Sequence, residues 1–215
     1  DATADDTAHT IDVTYPVTTG RQVNIGRISF KGLARVNESF ARRALTVHPG
    51  ERYRPSRIEE ARRAMAGLGV FSGVSVHVPD QLSEDGDMPL TFDVQERERH
   101  SVALSGNYST DLGISLSTTW SHRNLFGNAE QLNLTAGGAG LGNASAGLSY
   151  NLTAQYVQPL FLRQDQVLEI SASGVKQQFD AYDQTAQTLA AFVRRKFSAL
   201  WSGSAGLSYT HDQIA

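Results

Sequence analysis

The chain contains no cysteine, and only two methionines and two tryptophans in 215 residues. Without cysteine there is no disulfide framework and no thiolate metal site. No stretch approaches the roughly 18 consecutive apolar residues that a membrane helix needs. The net charge is −3, which gives no electrostatic case for a nucleic-acid partner. Charge is also unevenly spread: residues 1–100 carry 28 charged side chains and residues 101–215 carry 13. That step near residue 100 points to two domains. Mean hydropathy is −0.31. The value suits a soluble protein, but a β-barrel scores the same way because only alternate residues face lipid. The chain starts at Asp1 and stops within a strand-like run at residues 210–215, so it reads as an internal piece of a larger exported protein.

What fills the charge-poor half is alternation. Val102, Leu104 and Tyr108 interleave with Ala103, Ser105, Asn107 and Ser109. Ile114, Leu116, Thr118 and Trp120 do the same with Ser115, Ser117, Thr119 and Ser121. A period of two puts one face in an apolar medium and the other in a polar one. A soluble sandwich would load its wet face with Lys and Glu. Here that face is Ser, Thr, Asn, Gln and Gly, as in a transmembrane barrel with a wet lumen. Strands are expected at residues 101–109, 114–121, 130–136, 148–156, 167–177, 185–197 and 201–210, each near the nine to eleven residues of a tilted membrane strand. Facing is ambiguous in the fifth and sixth. The run Gly137-Gly138-Ala139-Gly140-Leu141-Gly142 reads as an extracellular loop; it lacks the Lys-Ser/Thr of a phosphate cradle. Tyr108 and Tyr209 are expected near the far interface, and Trp120, Tyr156, Phe161 and Trp201 near the near one, as two aromatic belts.

The charged half reads β-α-α-β-β over residues 22–98, behind a polar segment 1–21 taken as the end of a preceding module and a linker. Residues 23–30 form a strand whose apolar parity changes at Gly26-Arg27, which predicts a bulge. Asn37 is placed to cap a first helix through Phe40, Arg43, Ala44 and Val47, and Ser56 a second through Ile58, Ala61, Met65 and Leu68. Strands follow at residues 70–78 and 89–95. Two helices over three strands leave a sheet edge uncovered, either solvated or open to an added strand. The six histidines show no metal-ligand spacing and read as surface or turn residues, and no catalytic constellation or cofactor site emerges.

Particular segments resemble a known family. Pro49-Gly50-Glu51-Arg52-Tyr53 between the helices, Leu68-Gly69-Val70-Phe71-Ser72-Gly73-Val74 at the second strand and the closing Glu96-Arg97 are similar to a polypeptide-transport-associated (POTRA) domain. Asn107-Tyr108-Ser109-Thr110-Asp111-Leu112-Gly113 and Asn124-Leu125-Phe126-Gly127-Asn128-Ala129-Glu130 resemble the start of an Omp85-superfamily barrel. Their wording is most similar to the outer-membrane subunit of the translocation and assembly module.

The resemblance implies an α+β POTRA domain in the periplasm, followed from residue 99 by the first part of an antiparallel barrel in the bacterial outer membrane. It implies a non-enzymatic factor with no cofactor and no metal. Its partners would be outer-membrane lipid, unfolded outer-membrane or autotransporter clients, and a periplasm-spanning protein anchored in the inner membrane. Clients would enter at a seam along the first strand, at Val102, Leu104, Gly106 and Tyr108. Gly106 would either weaken local pairing or make room for a neighbour. Export of one dedicated client, as in two-partner secretion, is the alternative; a passive porin is the third class.

Overall fold

The computed structural model describes residues 22–79, 81–110, 113–142, 147–178, 183–198 and 200–214, and the backbone of residues 2–5 and 10–13. Strands β1 (Ala2–Asp5) and β2 (Thr10–Val13) pair antiparallel. Of residues 1–21, expected as the end of a preceding module and a linker, residues 14–21 lie outside the described residues, as does part of the turn at residues 110–113.

The charged domain has the expected order. Strand β3 (Ile25–Lys31) leads to helices α1 (Glu38–Ala44) and α2 (Pro55–Ala66), then to β4 (Phe71–His77) and β5 (Met88–Glu96). The last strand is central: the sheet runs β3-β5-β4, with β3 parallel and β4 antiparallel to β5. The register slips between Ile25 and Ile28, where the parity change predicts a bulge. Leu90, Phe92 and Val94 of the central strand meet Phe40 and Met65 from the helices in a fully buried core. Each such side chain contributes about 1.5–3 kcal/mol of burial.

Both expected caps are corrected. The Asn37 side chain makes no capping bond, and α1 ends at Ala44, so Val47 packs into the core from beyond the helix. Helix α2 starts at Pro55, whose fixed φ suits the first helical position, with Arg54 at the cap and no side-chain bond. Ser56 lies inside the helix.

Residues 100–214 form one open, seven-stranded sheet in sequential order: β6 (His100–Ser109), β7 (Gly113–Arg123), β8 (Gln131–Leu141), β9 (Ser149–Pro159), β10 (Gln166–Gln178), β11 (Asp183–Lys196) and β12 (Ser202–Ile214). Every neighbouring pair is antiparallel. The glycine-rich run is corrected from a loop to a strand, since β8 continues to Leu141. Gly137 pairs with Ser117 on one side and Asn151 on the other. A Cβ there would run into the Asn151 amide, so glycine serves a close approach within the sheet.

The register separates the faces. One row of opposed residues reads Val102, Trp120, Leu134, Ala154, Ala172, Leu189, Tyr209. The next reads Ala103, Thr119, Thr135, Thr153, Ser173, Thr188, Thr210. Within the hydroxyl row, Thr119 bonds Thr135 at 2.9 Å and Thr188 bonds Thr210 at 3.1 Å. Pairing settles the ambiguous strands: Leu168 and Ile170 lie on the apolar face, Glu169 and Phe192 on the polar one. Phe192 fits there because it lies over Gly206, which has no side chain. Trp120 and Tyr209 share a row, so a difference in their membrane height rests on strand tilt, which makes such a row climb around a barrel.

Candidate functional site

Strand β6 bonds only β7, and among the described residues its other edge carries no strand. The Arg123 N–H donates to the Arg99 carbonyl at 2.7 Å. In an antiparallel ladder bonded and non-bonded pairs alternate. The register from His100↔His122 to Ser109↔Gly113 therefore gives residues 101, 103, 105 and 107 to β7. The amides and carbonyls of Val102, Leu104, Gly106 and Tyr108 point to the open side. The side chains of these residues share the apolar face and are 66, 81 and 71% exposed at Val102, Leu104 and Tyr108. A Cβ on Gly106 would sit 3.3 Å from Leu116 Cδ2, so this glycine does make room for its cross-strand neighbour.

Beside this edge, the turns at the domain end of the sheet grip the N-terminal domain. The turn between β7 and β8 carries Asn124 (φ 61°), Gly127 (φ 95°) and Ala129 (φ 59°), left-handed positions that fold it into a compact knob. Asn tolerates that region through local hydrogen bonding, and Ala129 is held there by its surroundings. Ala129 is fully buried in the domain's core. The buried Glu130 carboxylate accepts the N–H groups of Phe126 (3.1 Å) and Asn128 (3.0 Å) and the Asn128 amide (3.0 Å). Burial raises the carboxyl pKa, but these donors outweigh it and hold the group below its ordinary value.

The knob is tied across the domain boundary. The Asn37 N–H donates to the Gly127 carbonyl at 2.8 Å. The Asn37 amide reaches Phe126 O and Asn128 Oδ1, and the Asn124 amide donates to Arg35 O at 2.9 Å. This is where the expected helix cap went: the Asn37 side chain serves the interface. Arg35 is in turn held by Glu96, whose carboxylate accepts the N–H groups of Ala34, Arg35 and Val36, each at 2.9 Å, and the Arg35 guanidinium at 3.0 Å. Burial opposes ionisation of Glu96, yet these four donors lower its pKa to about 2. The second turn, between β9 and β10, sends Gln164 Nε2 to the carbonyls of Arg43 (2.5 Å) and Leu45 (3.0 Å) at the end of α1.

Neither clamp was visible as a clamp in the sequence. The segment at residues 124–130 stood out only as family wording, although Gly127-Asn128 followed two residues later by the Glu130 carboxylate is the signal that marks it. Sequence reading also scattered the histidines. The structure sets His100 and His122 opposite each other, 4.6 Å between ring centroids, with Trp120 stacked on His100.

Comparison with known proteins rests on these two parts. Residues 23–97 match the POTRA family, described as a surface antigen variable number repeat, and residues 124–215 match the Omp85 superfamily domain. The chain carries a POTRA domain and an Omp85 superfamily domain. Relatives include the outer membrane protein assembly factor BamA of Neorickettsia risticii, 28% identical over 145 residues, covering 67% of this chain and 19% of that one. BamA of Neisseria meningitidis is 22% identical over 173 residues, covering 80% and 20%. The chain thus spans about a fifth of the length of these relatives. The structure of BamA from Haemophilus ducreyi lacking POTRA domains 1–3 superposes with a TM-score of 0.75 at 20% identity, over 100% of this chain and 40% of that one. CdiB from Acinetobacter baumannii gives 0.68 at 14%, over 90% and 38%. These two likenesses establish the fold: a POTRA domain followed by part of an outer-membrane barrel. An Omp85 protein of this kind lies in the bacterial outer membrane with its POTRA domain in the periplasm. The open sheet's apolar face therefore meets lipid, and the clamped turns are periplasmic.

Proposed function

We propose that this Omp85 chain acts in outer-membrane protein assembly, receiving β-rich clients at its POTRA domain and passing them to a seam along β6. The observation that carries this reading is the bonding pattern of β6, the first strand of the sheet. Val102, Leu104, Gly106 and Tyr108 turn their backbone donors and acceptors away from β7, toward the side on which a complete barrel closes. A bare amide or carbonyl in lipid costs several kcal/mol, so a weakly paired closure there favours adding a client strand. Autotransporter-like clients, whose strands alternate as this chain's do, suit such an edge, and the wording of residues 107–130 supports an assembly-module role.

The POTRA domain offers a second edge. β3 is partly covered, since its N-terminal end bridges through Asn24 to Arg52. β4 pairs only with β5, and Ser75 and His77 on it are exposed. An incoming client strand, or a periplasm-spanning partner anchored in the inner membrane, would add there.

The test is a set of cysteine pairs joining β6 to the last strand of the complete barrel. Oxidation is expected to abolish client assembly, and reduction to restore it. Normal assembly by the locked protein sinks the seam reading. Export of one dedicated client through the pore, with assembly of other outer-membrane proteins unaffected by the lock, would favour a secretion transporter instead.

A further inference from the structure

The clamp at the second periplasmic turn encloses more than a contact. Between the end of α1 and the β9–β10 turn lies a cleft of about 390 Å³, lined by Arg42, Arg43, His48, Arg163, Gln164 and the leucines 160 and 162. No carboxylate lines it. Arg42 is neutralised by Glu38 at 2.6 and 3.0 Å, and His48 is bonded to Glu51 at 2.9 Å. The side chains of Arg43 and Arg163 take part in no ion pair among the described residues, and both are exposed. The nearest acid on the turn, Asp165, is already engaged by Arg195 at 2.6 Å. Asp165 lies near enough to feel the charge of Arg163, but its hydrogen bond goes to Arg195, so neither Arg43 nor Arg163 has a carboxylate bonded to it.

Its position selects the anion. Pro159 ends one membrane strand and Gln166 begins the next, so the turn sits at the level where lipid headgroups meet the periplasm. Leu162 projects from it with 84% of its surface exposed, and Leu160 packs inward against the POTRA core. An apolar side chain bared beside two unpaired guanidiniums matches a molecule with a phosphate at one end and hydrocarbon at the other. Guanidinium forks bind phosphate oxygens through paired, charge-assisted hydrogen bonds.

We infer that this cleft is a binding site for an anionic phospholipid of the inner leaflet, with the headgroup phosphate between Arg43 and Arg163 and the acyl chains against Leu162. Such a lipid would tie the POTRA domain to the membrane surface as well as to the barrel.

The test is native mass spectrometry of the complete protein in detergent micelles, titrated with dioleoylphosphatidylglycerol or dioleoylphosphatidylcholine. Wild type is expected to retain phosphatidylglycerol about tenfold better, and R43Q/R163Q to lose that preference. Leu162→Asn is expected to weaken retention of the lipid while the unlipidated protein keeps its heat-modifiable mobility on gels, which reports a folded barrel. Inorganic phosphate is the second probe and should not displace the lipid at equal concentration. Equal retention of phosphatidylglycerol by R43Q/R163Q and wild type overturns the site. Displacement by inorganic phosphate assigns it to a free anion, and displacement by polyglutamate assigns it to an acidic peptide; either overturns the lipid.

Discussion

Glu96 shows how one side chain can order a junction. Its carboxylate gathers three successive backbone N–H groups and a guanidinium while only 7% of the side chain stays exposed. Its pKa of about 2 lies below the ordinary 4.5. A group depressed on folding stabilises at pH values above its unfolded pKa, and that stability is lost as pH falls through the folded one. The contribution, about 3 kcal/mol by linkage, should therefore be intact at pH 7 and fade between about pH 4.5 and 2. Urea unfolding of residues 22–98 followed over that range should show this fade, and Glu96→Gln should flatten it while lowering stability at neutral pH. Gly127 makes a second residue-scale case. With φ at 95° and the Asn37 amide 2.5 Å from where a Cβ would stand, Gly127→Ala meets backbone strain and a steric clash together. A loss of about 1–3 kcal/mol is expected. It should appear as faster hydrogen exchange at the Asn37 amide, which donates to the Gly127 carbonyl.

Among elements, β6 is bonded along one side only, and its two sets of backbone groups predict opposite outcomes for proline. Proline removes the N–H, which is tolerated on an open edge and not within a ladder. Leu104→Pro removes an amide that faces the open side, so the barrel should fold and client assembly should fail. Ser105→Pro removes one that belongs to the β7 pairing, so the hairpin itself should be lost. Folding read by heat-modifiable mobility, beside an assembly assay, separates the two; equal behaviour would contradict the bonding pattern assigned to β6.

At the scale of the whole molecule, the POTRA domain is held by β7–β8 and β9–β10 rather than by the connection into β6 alone. Domain and sheet move together while those turns stay bonded, and the seam strand lies outside the clamp. Asn37→Ala, Asn124→Ala and Gln164→Ala together remove the side-chain ties described above. Spin labels at Arg54, the cap of α2, and Ser202 on β12 should then report a broader distance distribution than wild type. An unchanged distribution would show that the Asn37–Gly127 backbone bond and the packing of Ala129 and Leu160 suffice to hold the domain.

What the sequence by itself determined is whatever local chemistry dictates. The period of two in Val102, Leu104 and Tyr108, with Ser and Asn between, specifies a sheet with one apolar and one wet face. The 3.6-residue spacing of Ile58, Ala61 and Met65 specifies a helix, and the parity change at Gly26 specifies a bulge. The tertiary structure decided what depends on partners distant in the chain. Asn37 serves a turn 90 residues away instead of its own helix, because that turn offers a carbonyl and an amide at its side. Gly137 lies in a strand because its neighbours crowd it, and β5 is central although it comes last in its sheet. The β6 edge and the Arg43–Arg163 cleft arise in the same way. Which backbone groups go unpaired, and which charges share a cleft without a counter-ion, follow from pairing and packing between segments, and a single strand or turn carries no record of them.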